Sequence, residues 1–275
     1  MIIGIDADIV VYRAAFAAQK STEGVVLVEP VDKAIMNCRS IIGRIFETLE
    51  TRDHICYLTA NNDPTNYRIQ YGKEYSNSPG RPKGYKAHRA ATPKPVHYQA
   101  CRDFIMDTYT CDLAIGEEAD DRMGIDMSRD NIQCIASLDK DLDMIPGMHY
   151  NWVRGSKVNK DTMRGLGVLY GKEPYVPNTI EVLSKPRESG IYTITPIDGL
   201  RNFYKQFLIG DAADNIPGIT GLGPVKAGKL IDPLTTERQM FEAVQVAYND
   251  DKKLLDIGRC LKIRTFEGEL WEFPE

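Results

Sequence analysis

Histidine and tryptophan are scarce in this chain, with four and two copies in 275 residues. There are six cysteines, at positions 38, 56, 101, 111, 134 and 260, but no CxxC pair and no regular spacing. Structural zinc sites need clustered Cys and His, so this scatter speaks against a zinc module. The cysteines read instead as buried thiols of a reducing compartment. No apolar run approaches the roughly 20 residues that a membrane-spanning helix needs. The opening MIIGIDADIVVYRAAFAA is apolar but carries Asp6 and Asp8 and lacks a basic leader. It reads as folded core and not as a secretory signal. There is no internal repeat and no low-complexity tract. Nor is there an excess of positive charge. The formal net charge is −5, which alone argues against a nucleic-acid partner. Net charge, however, says little about local fields. One segment, RPKGYKAHRAATPK (81–94), carries Arg81, Lys83, Lys86, Arg89 and Lys94 with no acid among them.

What is present suits a soluble globule: 43% hydrophobic and 27% charged residues, with both signs mixed. The length allows one large α/β domain, or such a domain with a small appended module. MIIGIDA reads as a buried strand, followed by a helix from about Ile9 to Ala18. Residues 31–50 have helical apolar spacing (Val31, Ile35, Cys38, Ile42, Ile45, Leu49). HICYLTA is a second strand. Residues 61–94 are polar, rich in Asn, Pro, Gly and Tyr, and sustain no period, which marks a functional or mobile stretch. A helix from Pro95 to about Thr108, the strand CDLAIG, the helix EEADDRMGIDMS and the strand NIQCIAS follow. MHYNWV and a strand near 191–194 extend or flank the sheet, with an irregular insertion at 155–190. From Pro196 onward the pattern is mainly helical. Alternating strands and helices imply an α/β fold, with a mostly parallel central sheet flanked by helices and a helical C-terminal region. In such sheets, sites form at the carboxyl ends of the strands.

Acids recur at those ends. Asp6 and Asp8 end the first strand and Asp63 follows the second. Glu117, Glu118, Asp120 and Asp121 follow the third, and Asp139 and Asp141, in SLDKDLD, follow the fourth. Asp211 and Asp214 open the helical tail. Glu118 and Asp121 are spaced to share one face of a first helical turn, as Asp211 and Asp214 would if helical. On an extended segment Asp139 and Asp141 point the same way. A single acid at a helix start merely offsets the macrodipole. So many on one edge would repel one another unless cations sat between them. Oxygen ligands without His or Cys suit Mg²⁺ or Mn²⁺. Two such ions about 4 Å apart can hold a scissile phosphate and activate water.

In YKAHR (85–89), Lys86 and Arg89 lie on one helical face and fit a phosphate contact or charge stabiliser. Tyr85 beside them could stack on an unpaired base. GITGLGPVKAGKL has the form of a helix-hairpin-helix within 210–231. Gly218, Gly221 and Gly223 permit tight turns, and Pro224 suits the first position of a helix. Its free amides, with Lys226 and Lys229, would accept a DNA phosphate without reading sequence.

These stretches, taken in order, resemble the 5′-nuclease (flap endonuclease) family, and most closely its bacteriophage 5′→3′ exonucleases. The resemblance rests on GIDADIVVYRAAF, NDPTNYR, YKAHR, GEEADD, SLDKDL and GDAADNIPGITGLGPVKAGKL. It implies a PIN-like nuclease domain over 1–195, with an arch or clamp at about 66–94, and a helical region over 196–275. It implies a metal site drawn from Asp6, Asp63, Glu118, Asp120, Asp121, Asp139, Asp141, Asp211 and Asp214, holding two Mg²⁺ or Mn²⁺ ions. Lys86 and Arg89 would act on the scissile phosphate, and Arg81, Lys83 and Tyr85 would join the hairpin in binding DNA. Implied substrates are duplex, nicked or flapped DNA with a 5′ end and RNA–DNA hybrids, with RNase H activity among the options. The setting would be phage DNA replication, in a monomer in the host cytoplasm. Cellular relatives usually have glycine after the first aspartate; here it is Ala7, and Asp8 is an extra acid. Two other readings stand beside this one. One is a haloacid-dehalogenase-type phosphatase with Asp6 as nucleophile, which leaves GEEADD and YKAHR unexplained. The other is a DNA-binding relative that has lost catalysis.

Overall fold

The structure, a computed structural model, describes residues 1–22, 25–153 and 190–275. The insertion expected at 155–190 therefore lies, but for Gly190, outside the described residues.

Strand β1 (Ile3–Asp6) is fully buried and sits near the middle of a six-stranded sheet of order β5-β4-β1-β6-β7-β8. Its neighbours β4 (His54–Thr59) and β6 (Cys134–Ala136) pair with it in parallel, as β5 (Cys111–Ala114) does with β4 and β7 (Gly147–Tyr150) with β6. Among the described strands of this sheet, only the edge strand β8 (Ile191–Ile194) runs antiparallel. The expected strand at 191–194 thus extends the sheet.

Period-two alternation divides the side chains between two cores. Cys56 and Leu58 face one side, with Ile3, Ile5 and helices α1 (Ala7–Ala17), α2 (Val31–Leu49) and α4 (Tyr98–Thr108). Ile55 and Tyr57 face the other, with α5 (Ala119–Ser128) and the C-terminal helices. Those helices are α6 (Pro196–Ile209), α7 (Pro224–Ile231), α8 (Glu237–Tyr248) and α9 (Asp251–Leu261). Trp271, near the C-terminus, is buried among Phe203, Phe207 and Phe241 and closes this core.

Two features escape a reading by periodicity. Residues 19–28 form a small hairpin, β2 (Gln19–Thr22) with β3 (Val25–Val28). The polar stretch 61–94 contains a helix, α3 (Tyr67–Gly72), too short to show a hydrophobic period. Asn66 caps it by accepting from the Arg68 amide at 3.0 Å.

Residues 210–217 are not helical. β9 (Gly210–Asp211) and β10 (Ile216–Pro217) pair antiparallel around a turn. Here glycine is required by close approach. A Cβ on Gly218 would meet the Ile209 carbonyl oxygen at 2.2 Å, and Gly210 has φ +74°. Gly221 holds a left-handed φ of +83°, whereas Gly223 is ordinary extended backbone before Pro224. The three hairpin glycines therefore serve three different ends. Among the described residues, no helix is long and apolar enough to cross a membrane.

Candidate active site

The parallel strands bring their carboxyl ends to one edge, and the chain places its acids there. Asp6, the last residue of β1, is 3% exposed. Its carboxylate accepts from Ser137 Oγ at 2.6 Å and from the Ile9 amide at 3.1 Å, which caps α1. The same Ser137 hydroxyl accepts the Asp139 amide at 2.9 Å, and Asp139 Oδ1 accepts the Asp141 amide at 2.9 Å. Ser137 thus ties β1 to the loop after β6. Asp139 lies in that loop and Asp141 opens a 3₁₀ turn (Asp141–Met144), so the pair is set by a turn and not by an extended strand. From α6, Gln206 donates to Asp141.

Beside them is a small open recess, whose wall includes Glu118, Asp120, Asp141, Asp211 and Asp214. Glu118 precedes α5 and Asp120 lies in its first turn. Asp211 Oδ1 accepts the amides of Ala213 and Asp214 at 2.6 and 3.1 Å, so its own turn orients it.

Two ammonium groups lie among these acids. Lys86 Nζ is 2.6 Å from Glu118 Oε1 and 3.5 Å from Asp214 Oδ2. Lys140 Nζ is 3.2 Å from Asp211 Oδ2 and 3.5 Å from Asp141 Oδ1. Lys86 has a left-handed φ of +53°, unfavourable for a residue with a Cβ. Its amide donates to Asp214 O at 3.0 Å, which helps hold the conformation. Arg89 reaches the same turn, donating to Asp214 Oδ1 at 2.8 Å and to Ala213 O at 3.0 Å. More of segment 77–89 is strapped down there: Asn77 bonds Asn215 and Ile216, Arg81 bonds Ala212 O, and Asn215 bonds Pro82 O and Gly84 O.

Electrostatics separate the acids. Burial raises the Asp6 carboxyl to about 7; the Ser137 hydrogen bond opposes this and the charges of Asp8 and Asp139 add to it. Asp120 and Asp141 are pushed well up, first by burial and then by neighbouring carboxylates, and Asp139 is raised for the same reasons. Glu118 behaves oppositely. Burial alone would raise it, but Lys86 and Arg68 outweigh that and bring it down to about 2. Negative charge is therefore under-compensated around Asp6, Asp120, Asp139 and Asp141.

Three expected site residues have other partners. Asp63 Oδ1 accepts from Thr65 N and Oγ1 and Oδ2 from the Gly116 amide, so it staples the loop after β4 to the loop after β5. Asp121 is 0% exposed, with both oxygens engaged by Arg68, Tyr67 and backbone amides. The spacing of Glu118 and Asp121 serves a helix cap, in which Asp121 Oδ2 accepts the Glu118 amide at 3.0 Å. Tyr85, expected to stack on a base, is 8% exposed; its hydroxyl lies 3.0 Å from Glu118 Oε2 and 2.7 Å from Asp214 Oδ2. With its ring packed in the core, Tyr85 is a hydrogen-bonding residue of the site and not a stacking platform.

Asp8 is an anchor. It accepts the Thr59 amide at 2.9 Å and pairs with Arg102 at 3.3 Å, joining α1 to β4 and α4. Sequence reasoning passed over Asn66, Arg68, Ser137, Lys140 and Gln206. Arg68 stood inside the quoted NYR and Lys140 inside SLDKDL, but no spacing rule marks a residue that acts through another. Lys83, Lys226 and Lys229 are exposed, the last two on α7 beyond the glycine turn.

The donor set fits hard divalent cations: it is all oxygen, buried and short of positive charge. Among the described residues no three donors are gathered closely enough to hold an ion as they stand, and Lys86 and Lys140 lie between them.

No protein-family model matches the chain, and no curated protein matches its sequence. Solved structures do. The T5 5′-exonuclease with bound divalent zinc ions superposes with a TM-score of 0.58 at 14% identity, over 96% of this chain and 90% of its own. The catalytic core of Rad2 in complex with DNA substrate gives 0.49 at 11% identity, over 99% and 82%. Human GEN1 in complex with Holliday junction DNA gives 0.43 at 13%, over 94% and 56%. In its mostly parallel sheet flanked by helices, the chain has the fold of the 5′-nucleases.

Proposed function

We propose that the protein is a divalent-metal-dependent 5′-nuclease that hydrolyses phosphodiester bonds near the 5′ end of duplex or flapped DNA. The observation that carries this reading is the set of under-compensated carboxylates at the carboxyl edge of the sheet, with Lys86 and Arg89 paired to Glu118 and Asp214 in the wall of the recess. Asp6, Glu118, Asp120, Asp139, Asp141, Asp211 and Asp214 would hold two Mg²⁺ or Mn²⁺ ions. Such ions, when bound, polarise the phosphoryl oxygens, lower the pKa of an attacking water and stabilise the leaving oxygen. The side chains prepare the rest. Lys86 and Arg89 exchange their carboxylate partners for the scissile phosphate and offset its developing charge. Tyr85 orients Glu118 and Asp214, while Ser137 and Gln206 fix Asp6 and Asp141. Asp8 and Asp63 hold the scaffold. The glycine turn at 218–223 and the amino end of α7, with Lys226 and Lys229, would grip duplex backbone as a helix-hairpin-helix. Arg81 and Lys83 would add phosphate contacts from the strap.

RNA–DNA hybrids offer the same phosphate backbone and belong to the proposed substrate range, as does primer removal during phage replication in the host cytoplasm. The described residues carry every group this scheme uses, so a monomer suffices. A phosphatase reading is disfavoured because Asp6, its nucleophile, is 3% exposed and both its oxygens accept hydrogen bonds.

The test uses 5′-labelled duplex and 5′-flap substrates with Mg²⁺. Short labelled products should appear, and should vanish with EDTA and in Asp139→Asn. Full cleavage by that variant would sink the site assignment. Lys86→Ala should lower turnover more than DNA affinity.

A further inference from the structure

Asp121 sits in the acidic motif that supplies the site, yet its environment is that of a structural ion. It is 0% exposed, and its two oxygens face five donors. Oδ1 accepts from Arg68 Nη2 at 2.8 Å, the Arg264 amide at 3.0 Å and the Tyr67 hydroxyl at 3.3 Å. Oδ2 accepts from Arg68 Nη1 and from the Glu118 amide at 3.0 Å. A carboxylate has about four lone-pair sites, so none is left for a cation.

Four of the five N–H donors of Arg68 are engaged as well. It is 2% exposed, and beyond Asp121 it donates from Nε to Cys260 O and from Nη2 to Lys262 O, both at 2.9 Å. Cys260 and Lys262 lie at the end of α9, where helix carbonyls lack intrahelical partners. Arg68 and Arg264 both lie against the Tyr67 ring, at 4.7 and 3.9 Å from its centre, and Arg264 reaches Glu117 at 2.7 Å. One buried pair therefore joins three parts of the chain: the start of α3, the end of α9, and the start of α5 that carries Glu118 and Asp120.

We propose that Asp121 is not a metal ligand but a positioning residue. With Arg68 it forms a clamp that locks the C-terminal helical region onto the amino end of α5 and so sets Glu118 and Asp120. The catalytic part rests on the nuclease reading above; the clamp itself does not. Through it, the region that carries the hairpin is held in register with the carboxylates. Because both charges are fully desolvated, removing one strands the other, so loss of the clamp perturbs both sides together.

The test compares Asp121→Asn, Asp120→Asn, Arg68→Met and Arg68→Lys in the full chain, each checked for folding by circular dichroism. Mn²⁺ is titrated without DNA, kcat and KM are measured on a labelled flap, and amide exchange is followed at 260–264. Asp121→Asn should keep the wild-type number of bound Mn²⁺ ions, whereas Asp120→Asn should lose one. Asp121→Asn and Arg68→Met should each lower kcat about 10- to 100-fold, the usual cost of losing an orienting partner, with KM nearly unchanged. Arg68→Lys should restore part of it. Amide protection at 260–264 should fall in Asp121→Asn and Arg68→Met but not in Asp120→Asn. Loss of one Mn²⁺ in Asp121→Asn would overturn the proposal, as would wild-type kcat and wild-type protection in that variant. If Asp121→Asn or Arg68→Met fails to fold, Arg68→Lys carries the test: lowered protection and kcat with the full Mn²⁺ count support the clamp, and wild-type behaviour on all three overturns it. If the wild-type protein cleaves no substrate, the nuclease reading fails, while the exchange and Mn²⁺ arms still decide the clamp.

Discussion

Replacing Lys140 by methionine should make the protein bind divalent metal more tightly. The ammonium lies 3.2 Å from Asp211 and 3.5 Å from Asp141, within the carboxylates proposed to hold the ions. Any cation binding there must displace it. In water each contact is worth about 1 kcal/mol, and at an effective dielectric of about 20 about 5 kcal/mol. The side chain is 38% exposed, so screening pulls the value toward the lower figure. About 2 kcal/mol for both contacts is a fair sum, and about 1.4 kcal/mol is a tenfold change in affinity. Lys140→Met keeps most of the apolar stem and removes only the charge. Its Mn²⁺ dissociation constant, from calorimetric titration of DNA-free protein, should fall about 10- to 30-fold on that arithmetic. Without metal the variant should melt at a lower temperature than wild type, because the carboxylates then face one another without a counter-ion. An unchanged or weakened Mn²⁺ affinity would refute the reasoning and show that Lys140 does not compete with the ion.

Two further outcomes concern stability. His149, 2% exposed on β7, donates from Nε2 to Ile145 O and is pulled by burial from 6.5 to about 4. Its folded pKa lies below the unfolded one, so its contribution is complete above pH 6.5 and is lost as the pH falls toward 4. The loss amounts to about 3 kcal/mol at about 1.36 kcal/mol per unit. Urea unfolding of His149→Gln should therefore depend less on pH than wild type across that window; parallel curves would contradict the assignment. Gly258 lets α9 lie against Trp271, and a Cβ there would fall 2.1 Å from the indole ring. Gly258→Ala should cost about 1–3 kcal/mol by overpacking, less in a Trp271→Phe background, as urea unfolding would show.

Much of the fold was legible because the sheet is parallel. Strands buried on both faces read as short apolar runs, and helices such as Val31–Leu49 carry a long amphipathic period. The hairpin at 19–28 and the helix Tyr67–Gly72 were not legible: each is short, and Tyr67–Gly72 is held by Asn66 and by contacts with α9. In the site, acids at strand ends could be found from sequence, because topology carries them to one edge whatever the details. Which acids face the recess could not. Asp120 and Asp121 are adjacent in sequence, yet one lines the recess and the other is sealed against Arg68. Helix geometry sends neighbouring side chains about 100° apart, and only the position of α9 shows which direction is solvent.

By itself the sequence determined the alternation of the main strands and helices, the acids at the strand ends and their all-oxygen chemistry, since these follow from local periodicity and residue type. Tertiary structure alone decided which carboxylates lack counter-charge, which lysines supply it, and that Tyr85 hydrogen-bonds where a stacking surface was expected. Those are matters of distance between residues far apart in the chain. Burial and Coulomb energies change over a few ångströms, a scale on which sequence spacing carries no information.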